Sequence, residues 1–272
     1  MKSDLSEFLS ANKRHWDDAA RVHFRSNYYN VSGFMKGGIT LSPIELNELG
    51  DVANKDLLHL QCHIGLDTLS WGRKGANVVG VDFSSEAIKI ANELAREISL
   101  QERVVFVESD IYDLQKRVYK KFDIVFTSHG VLNWLPNLEL WAQTINNFIR
   151  PGGLFYIVDI HPYAWIIDDS TFKIRNSYFG ISNPEVWVSN GTYALNSSEI
   201  KNTTTYLWQH TLGDIISAIA KVGLKIEFVH EFPFCSYQMW PFLEKNKDGF
   251  WHMPEGFPVM PLLFSLKAIK LD

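Results

Sequence analysis

Apolar residues along this chain follow two rhythms, and the switch between them marks the architecture. Near the N-terminus Leu5, Phe8, Leu9, Trp16 and Ala20 recur at helical spacing. Asp4, followed three residues later by Glu7, resembles a capping box with Asp in place of the usual Ser or Thr. The next stretch, RVHFRSNYYNVSGFMKGG, is aromatic, polar and glycine-rich, and reads as a loop or lid. From Asp56 onward short apolar runs alternate with helical stripes. Strands are expected at 57–62, 78–81, 104–107, 124–127 and 154–160. Runs this continuous belong to strands covered on both faces. A short helix is expected after the turn that ends in Gly65. Ala87, Ile88, Ala91, Leu94, Ala95 and Ile98 line a second, capped by Ser84 or Ser85. Leu138, Trp141, Ile145 and Ile149 line a third, closed by Pro-Gly-Gly at 151–153.

The alternation stops after Ile160. Residues 161–209 are rich in Tyr, Trp, Phe, Thr, Ser and Asn, with strand-leaning pieces TYAL and TTTYLW. A last helix is expected over about 214–222, ending at Gly223. The strand KIEFVHEF follows, then an aromatic excursion over 233–258 and a final strand within MPLLFSLKAIK. Strand, excursion, strand is the pattern of a terminal hairpin.

Composition narrows the class without naming it. A net charge of −5 gives no electrostatic reason to expect a nucleic-acid or anionic-lipid partner. No apolar run approaches a membrane span, and the start lacks the apolar core of a secretory signal, so a cytoplasmic protein is expected. Cys62 and Cys235 make neither a disulfide framework nor a zinc site, and read as buried thiols. No metal site is expected, because Asp159, Asp168 and Asp169 lack a convincing ligand spacing.

Candidate chemistry lies at the carboxyl ends of the strands, where parallel sheets bind nucleotides. The turn after the first strand reads Gln61-Cys62-His63-Ile64-Gly65, keeping only the last glycine of a dinucleotide fingerprint. Side chains at 61 and 63 hinder a pyrophosphate, so a ligand without one is easier to accommodate. Asp82, at the tip of the second strand, is placed to accept two hydrogen bonds from a ribose diol, with a helix cap as its alternative role. Asp110, just past the third, can accept from an exocyclic amine of adenine while the Ile111 amide meets a ring nitrogen; a turn role is the alternative.

The motifs LLHLQCHIGLDT, VVGVDFSSEAI, VESDIYDL, FDIVFTSHGVLNWLP and IRPGGLFYIVDIHP stand in an order that resembles class I S-adenosylmethionine-dependent methyltransferases. The resemblance covers about Asp56 to Ile160. It departs at the turn, where His59 replaces the strand's usual acid and Gln61 and His63 replace the first two glycines. It implies an α/β, Rossmann-like, seven-stranded mixed sheet with helices on both faces, an antiparallel last strand and an aromatic cap insertion. Residues 1–50 would form an N-terminal helical lid and 51–272 the methyltransferase domain, with the cap at 161–209 and a loop at 233–258.

The resemblance further implies that Gln61, His63 and Gly65 flank methionine, Asp82 holds ribose, and Phe83, Asp110 and Ile111 hold adenine. His129 would lie near the amino-acid end or the reacting methyl. His129 and His161 are candidate general bases, both at carboxyl ends of strands. Tyr29, Trp134, Tyr163, Trp165 and Trp240 are candidate walls of an acceptor pocket, suited to a small aromatic or amine-bearing molecule. The expected product is S-adenosylhomocysteine, and the assembly a monomer or homodimer. Two rival readings stand beside this one: a non-catalytic nucleoside-binding regulator, and an NAD-dependent oxidoreductase.

Overall fold

A computed structural model describes residues 2–168, 170–180, 183–196 and 199–272. The apolar runs form the parallel strands β1 (Asp56–Leu60), β2 (Asn77–Asp82), β3 (Val104–Glu108), β4 (Phe122–Ser128) and β5 (Ile149–Ile160). Strands β6 (Leu224–Phe232) and β7 (Leu263–Lys270) complete a sheet of order β6-β7-β5-β4-β1-β2-β3. β7 runs antiparallel to both β6 and β5, which is the expected terminal hairpin.

Alternate residues of each strand feed opposite faces, as the period of two requires. Leu57, Ile124, Phe126, Tyr156 and Val158 point into one core, Leu58, Val125, Phe155 and Ile157 into the other. Helices α1 (Lys2–Arg25), α2 (Val31–Met35), α3 (Pro43–Leu49), α4 (Leu66–Arg73) and α5 (Ser85–Glu97) precede or follow the first strands. Leu69, Trp71, Ala87, Ala91 and Leu94 of α4 and α5 fill the first core. Trp141 and Ile145 of α6 (Leu138–Phe148), with Ile215 and Ile219 of α7 (Leu212–Lys221), fill the second.

Three local readings are corrected. α1 starts upstream of Asp4, so Asp4 is in its first turn and not its cap. The segment over 21–38 is not a loop: α1 runs to Arg25, and α2 follows with Phe34 buried and the Asn30 side chain accepting from the Gly33 amide. Pro-Gly-Gly lies inside β5 rather than in a separate turn, because α6 passes directly into that strand. In the cap, Glu185–Val188 pairs with Thr204–Leu207 as a two-stranded ribbon. The excursion over 233–258 holds a small sheet of Phe234–Cys235, Glu244–Lys245 and Trp251–His252.

Candidate active site

The turn after β1 follows a path that glycines normally take. Gln61 (φ 57°), His63 (φ 50°) and Gly65 (φ 80°) are all left-handed. For the two non-glycine residues this costs about 1–3 kcal/mol each, and such strain persists only where surrounding bonds impose it. Here the Cys62 amide donates to Val81 O at 2.9 Å and the His63 amide to Asp82 Oδ2 at 2.8 Å. Gln61 and His63 thus carry side chains on a glycine-like backbone.

Asp82 ties this turn to the next. Its second carboxyl oxygen accepts from the Ser84 amide at 2.9 Å, while the Ser84 side chain caps α5 by accepting from Ala87. A carboxylate has about four acceptor positions, so both oxygens keep capacity for further donors. Burial pushes its carboxyl up to about 6, against the downward pull of the Ser84 and His63 amides.

Asp110 follows β3 and accepts from the Tyr112 amide at 2.8 Å, capping a 3-10 turn over Ile111–Lys116, so its turn role is real. Phe83, Ser109 and Asp110 nevertheless line a cleft of about 380 Å³, roofed by Leu9 and Lys13 of α1. Ile111, next in the chain, is buried in the second core. Burial raises the Asp110 carboxyl.

α1 lies across these strand ends. Its Asp17 accepts from Ser84 Oγ at 2.6 Å, and Lys13 pairs with Glu108 at 2.6 Å. His23 Nδ1 lies 2.8 Å from His63 Nε2. Burial holds the two rings down at about 2 and about 3, so this is a bond between neutral imidazoles. Trp16 packs edge-on between His63 (5.2 Å) and Trp134 (5.1 Å). On its other side α1 grips the cap: Asn12 exchanges two bonds with the Tyr206 backbone, and Asp18 accepts from the Lys201 and Asn202 amides.

The loop after β4 is organised by buried Asp159, whose carboxylate accepts from the amides of Gly130, Val131 and Leu132. His129 starts that loop and bonds Glu45 of α3. Gln61 donates to Val131 O at 3.1 Å, leaving its Oε1 buried without a partner among the described residues. His59 sits in β1, its Nδ1 on Thr68 Oγ1 at 2.8 Å, and burial holds it down at about 4.

The anticipated residues therefore divide. Gln61, His63, Gly65, Asp82, Phe83, Asp110, Ile111 and His129 gather along the carboxyl ends of β1 to β4. Tyr29 and Trp134 join them, Tyr29 stacking on His23 at 5.0 Å and bonding the Tyr193 hydroxyl. His161 stands apart: its Nδ1 accepts from the Tyr163 amide at 3.0 Å, and its Nε2 lies 2.9 Å from Glu231 of β6. Trp240 is buried in the first core, against Phe172 and Phe242. Trp165 faces Trp187 and Asn133 beneath the cap ribbon.

His23, Tyr28, Tyr237 and Glu45 escaped the sequence reading. Tyr28 lies 6.2 Å from Tyr237, which meets His129 edge-on at 6.3 Å. One signal was available: Trp16 and His23 are seven residues apart, two turns on one helix face. Among the described residues no group of three or more His, Cys, Asp or Glu is arranged to hold a metal ion; Asp169 lies outside them.

Comparison with known proteins agrees with this geometry. Residues 63–211 match the family described as a methyltransferase domain, more than half of the chain, and the protein belongs to that family. A ubiquinone biosynthesis O-methyltransferase from Photorhabdus laumondii is 24% identical over 148 residues, 52% of this chain and 60% of the relative. The one from Agrobacterium fabrum is 31% identical over 140 residues, half of each chain. The chain thus spans little more than half the length of these relatives. A solved S-adenosylmethionine-dependent methyltransferase from Clostridium acetobutylicum shares the fold, with a TM-score of 0.56 and 16% identity over 93% of this chain and 98% of that one.

S-adenosylmethionine is the cofactor that this membership assigns, and the residues present fit it. The open cleft between Phe83 and Asp110 suits an adenine, and Asp82 has acceptor capacity for a diol. The orphaned Oε1 of Gln61 is an acceptor matched to an ammonium group. When bound, the cofactor supplies an electrophilic methyl on a sulfonium.

Proposed function

We propose that the protein transfers a methyl group from S-adenosylmethionine to a small aromatic acceptor enclosed beneath α1. The observation that carries this reading is Asp82: a buried carboxylate at the tip of β2, fixed by two backbone amides, beside a cleft floored by Phe83 and Asp110. Asp82 would hold the ribose, Asp110 and Phe83 the adenine, and Gln61 the amino end of methionine. The rings of Tyr28, Tyr29 and Trp134 support an aromatic acceptor, and the curated relatives named above act, by their names, as O-methyltransferases. The protein's contribution is alignment of the acceptor lone pair with the reacting bond, where orientation supplies about 7–11 kcal/mol in favourable cases.

Calorimetry checks the cofactor. S-adenosylhomocysteine is expected to bind and NADH is not; the reverse result rejects the reading in favour of an oxidoreductase. Labelled methyl donor with a metabolite panel then separates enzyme from regulator, since a regulator labels nothing.

The state of Asp82 adds a pH signature. Hydroxyl donors favour the ionised carboxylate, so binding a diol there releases a proton. Affinity for S-adenosylhomocysteine is expected to hold above about pH 6 and to fall below it, approaching tenfold per pH unit. In the free protein the sign reverses. A carboxyl raised by burial keeps its proton longer when folded, so its contribution to stability falls as pH rises from about 4 to about 6. Titrations at about pH 5 and about pH 8 check the first statement. Equal affinities would remove Asp82 from the contact.

A further inference from the structure

Glu45 is a buried carboxylate, 1% exposed, with its two oxygens divided between two tasks. Oε2 accepts from the Ser42 amide at 3.1 Å and from the Ser42 hydroxyl, closing the capping box that starts α3. Oε1 lies 2.9 Å from His129 Nε2. An ionised carboxylate only accepts, so Nε2 carries the ring proton and Nδ1 presents its lone pair. Nδ1 is buried and has no partner among the described residues, although the His129 side chain as a whole is 23% exposed.

Other ionisable groups surround the ring, each held elsewhere. Asp67 of α4 accepts from Thr40 and Ser128, Asp159 of β5 accepts from three amides, and His59 of β1 bonds Thr68 and Ser128. Tyr237, after β6, meets the ring edge-on. Burial opposes the imidazolium, but the bond and charge of Glu45, with Asp67 and Asp159 behind it, outweigh burial and hold the ring above its ordinary value.

We propose that Glu45 is a positioning residue that holds His129 as an Nδ1 base, and that the acceptor is a weakly acidic hydroxyl such as a phenol. This rests on the methyl-transfer reading given above. A neutral amine already offers a lone pair, and a thiol ionises readily; a phenol must lose its proton as it attacks. In the step proposed, the acceptor O–H bond breaks and its proton passes to Nδ1. The oxygen lone pair forms the new O–CH3 bond and takes the methyl from the donor's sulfur, which keeps the bonding pair. Glu45 balances the imidazolium until the proton leaves to solvent.

Glu45→Gln preserves the capping box, which Gln also satisfies, and with its oxygen kept on Ser42 it removes both the charge and the acceptor that face His129 Nε2. His129→Asn keeps a residue that tolerates the positive φ of 33°. In the full chain, transfer from labelled S-adenosylmethionine to catechol is compared with transfer to aniline. Catechol is expected to be methylated in preference. His129→Asn should lower that kcat by about 10²–10⁴-fold. Glu45→Gln should lower it by about tenfold or more with little change in KM, and should move the inflection of kcat to lower pH.

Histidine nitrogen NMR of the protein without added ligand gives a readout independent of turnover. His129 should show a protonated Nε2 and a bare Nδ1, and should titrate at lower pH in Glu45→Gln. A protonated Nδ1 in the native protein overturns the proposal. So does transfer to aniline alone or to neither probe, or a catechol rate and pH profile that Glu45→Gln leaves unchanged. Binding of S-adenosylhomocysteine in those cases would leave the methyl-transfer reading standing.

Discussion

Asp82→Ala is expected to weaken S-adenosylhomocysteine binding by at least about a hundredfold. Hydrogen bonds to a charged acceptor contribute about 1.5–3 kcal/mol each, and a ribose diol offers two donors. The same change strands the His63 and Ser84 amides, which now donate to the carboxylate at 2.8 and 2.9 Å. Each buried orphan costs about 1–3 kcal/mol, so the variant should also unfold earlier. Asp110→Ala is the milder companion variant. It removes one contact at the cleft, sacrifices one cap, and is expected to cost about tenfold in affinity. Calorimetry below the unfolding transition of each variant gives the comparison. An Asp82→Ala protein that binds as tightly as the parent would refute the ribose role.

The second large effect is on stability. A Cβ added at Gly65 would sit 2.6 Å from two Phe106 ring carbons and 2.9 Å from the Ala91 methyl, at a φ of +80°. Left-handed strain of about 1–2 kcal/mol and overpacking of about 1–3 kcal/mol act together. Gly65→Ala is therefore expected to cost about 2–5 kcal/mol in denaturant unfolding. Gly80 of β2 clears space for the same ring, its own added Cβ lying 2.7 Å from Phe106. Shortening the ring by Phe106→Leu in the Gly65→Ala background should recover part of the loss, which identifies the clash. A loss below about 0.5 kcal/mol would place the turn farther from β3 than these distances allow.

What the sequence disclosed follows from range. Strands β1 to β5 and helices α5 and α6 were legible because their patterns are local: continuous apolar runs in one case, a 3.6-residue stripe in the other. Asp82 and Asp110 were legible because strand ends are fixed by those runs. α2 was missed because a helix of one and a half turns gives periodicity no room, and its one buried side chain, Phe34, looks like any loop aromatic. The partition of the aromatic residues was invisible for a different reason. Tyr29 and Trp240 are alike as letters, yet one stacks on His23 and the other fills the core beside Phe242.

Contacts between distant segments were also out of reach. The pairs His23 with His63, Glu45 with His129 and His161 with Glu231 join residues that no spacing rule connects. Only the packing of α1 and α3 over the strand ends, and of β6 beside β7, brings them together. The turn after β1 adds a further lesson. Its letters departed from the glycine pattern, but its dihedral angles did not. Bonds from the turn's amides to the Asp82 carboxylate and the Val81 carbonyl hold a path that glycine would otherwise have made inexpensive.

Co-crystallisation with S-adenosylhomocysteine tests the central claim most directly. The account predicts density for the nucleoside in the cleft between Phe83 and Asp110, with the sugar hydroxyls on the Asp82 carboxylate and the base amine toward Asp110. Density elsewhere, or a bound nucleoside that touches neither aspartate, would contradict it.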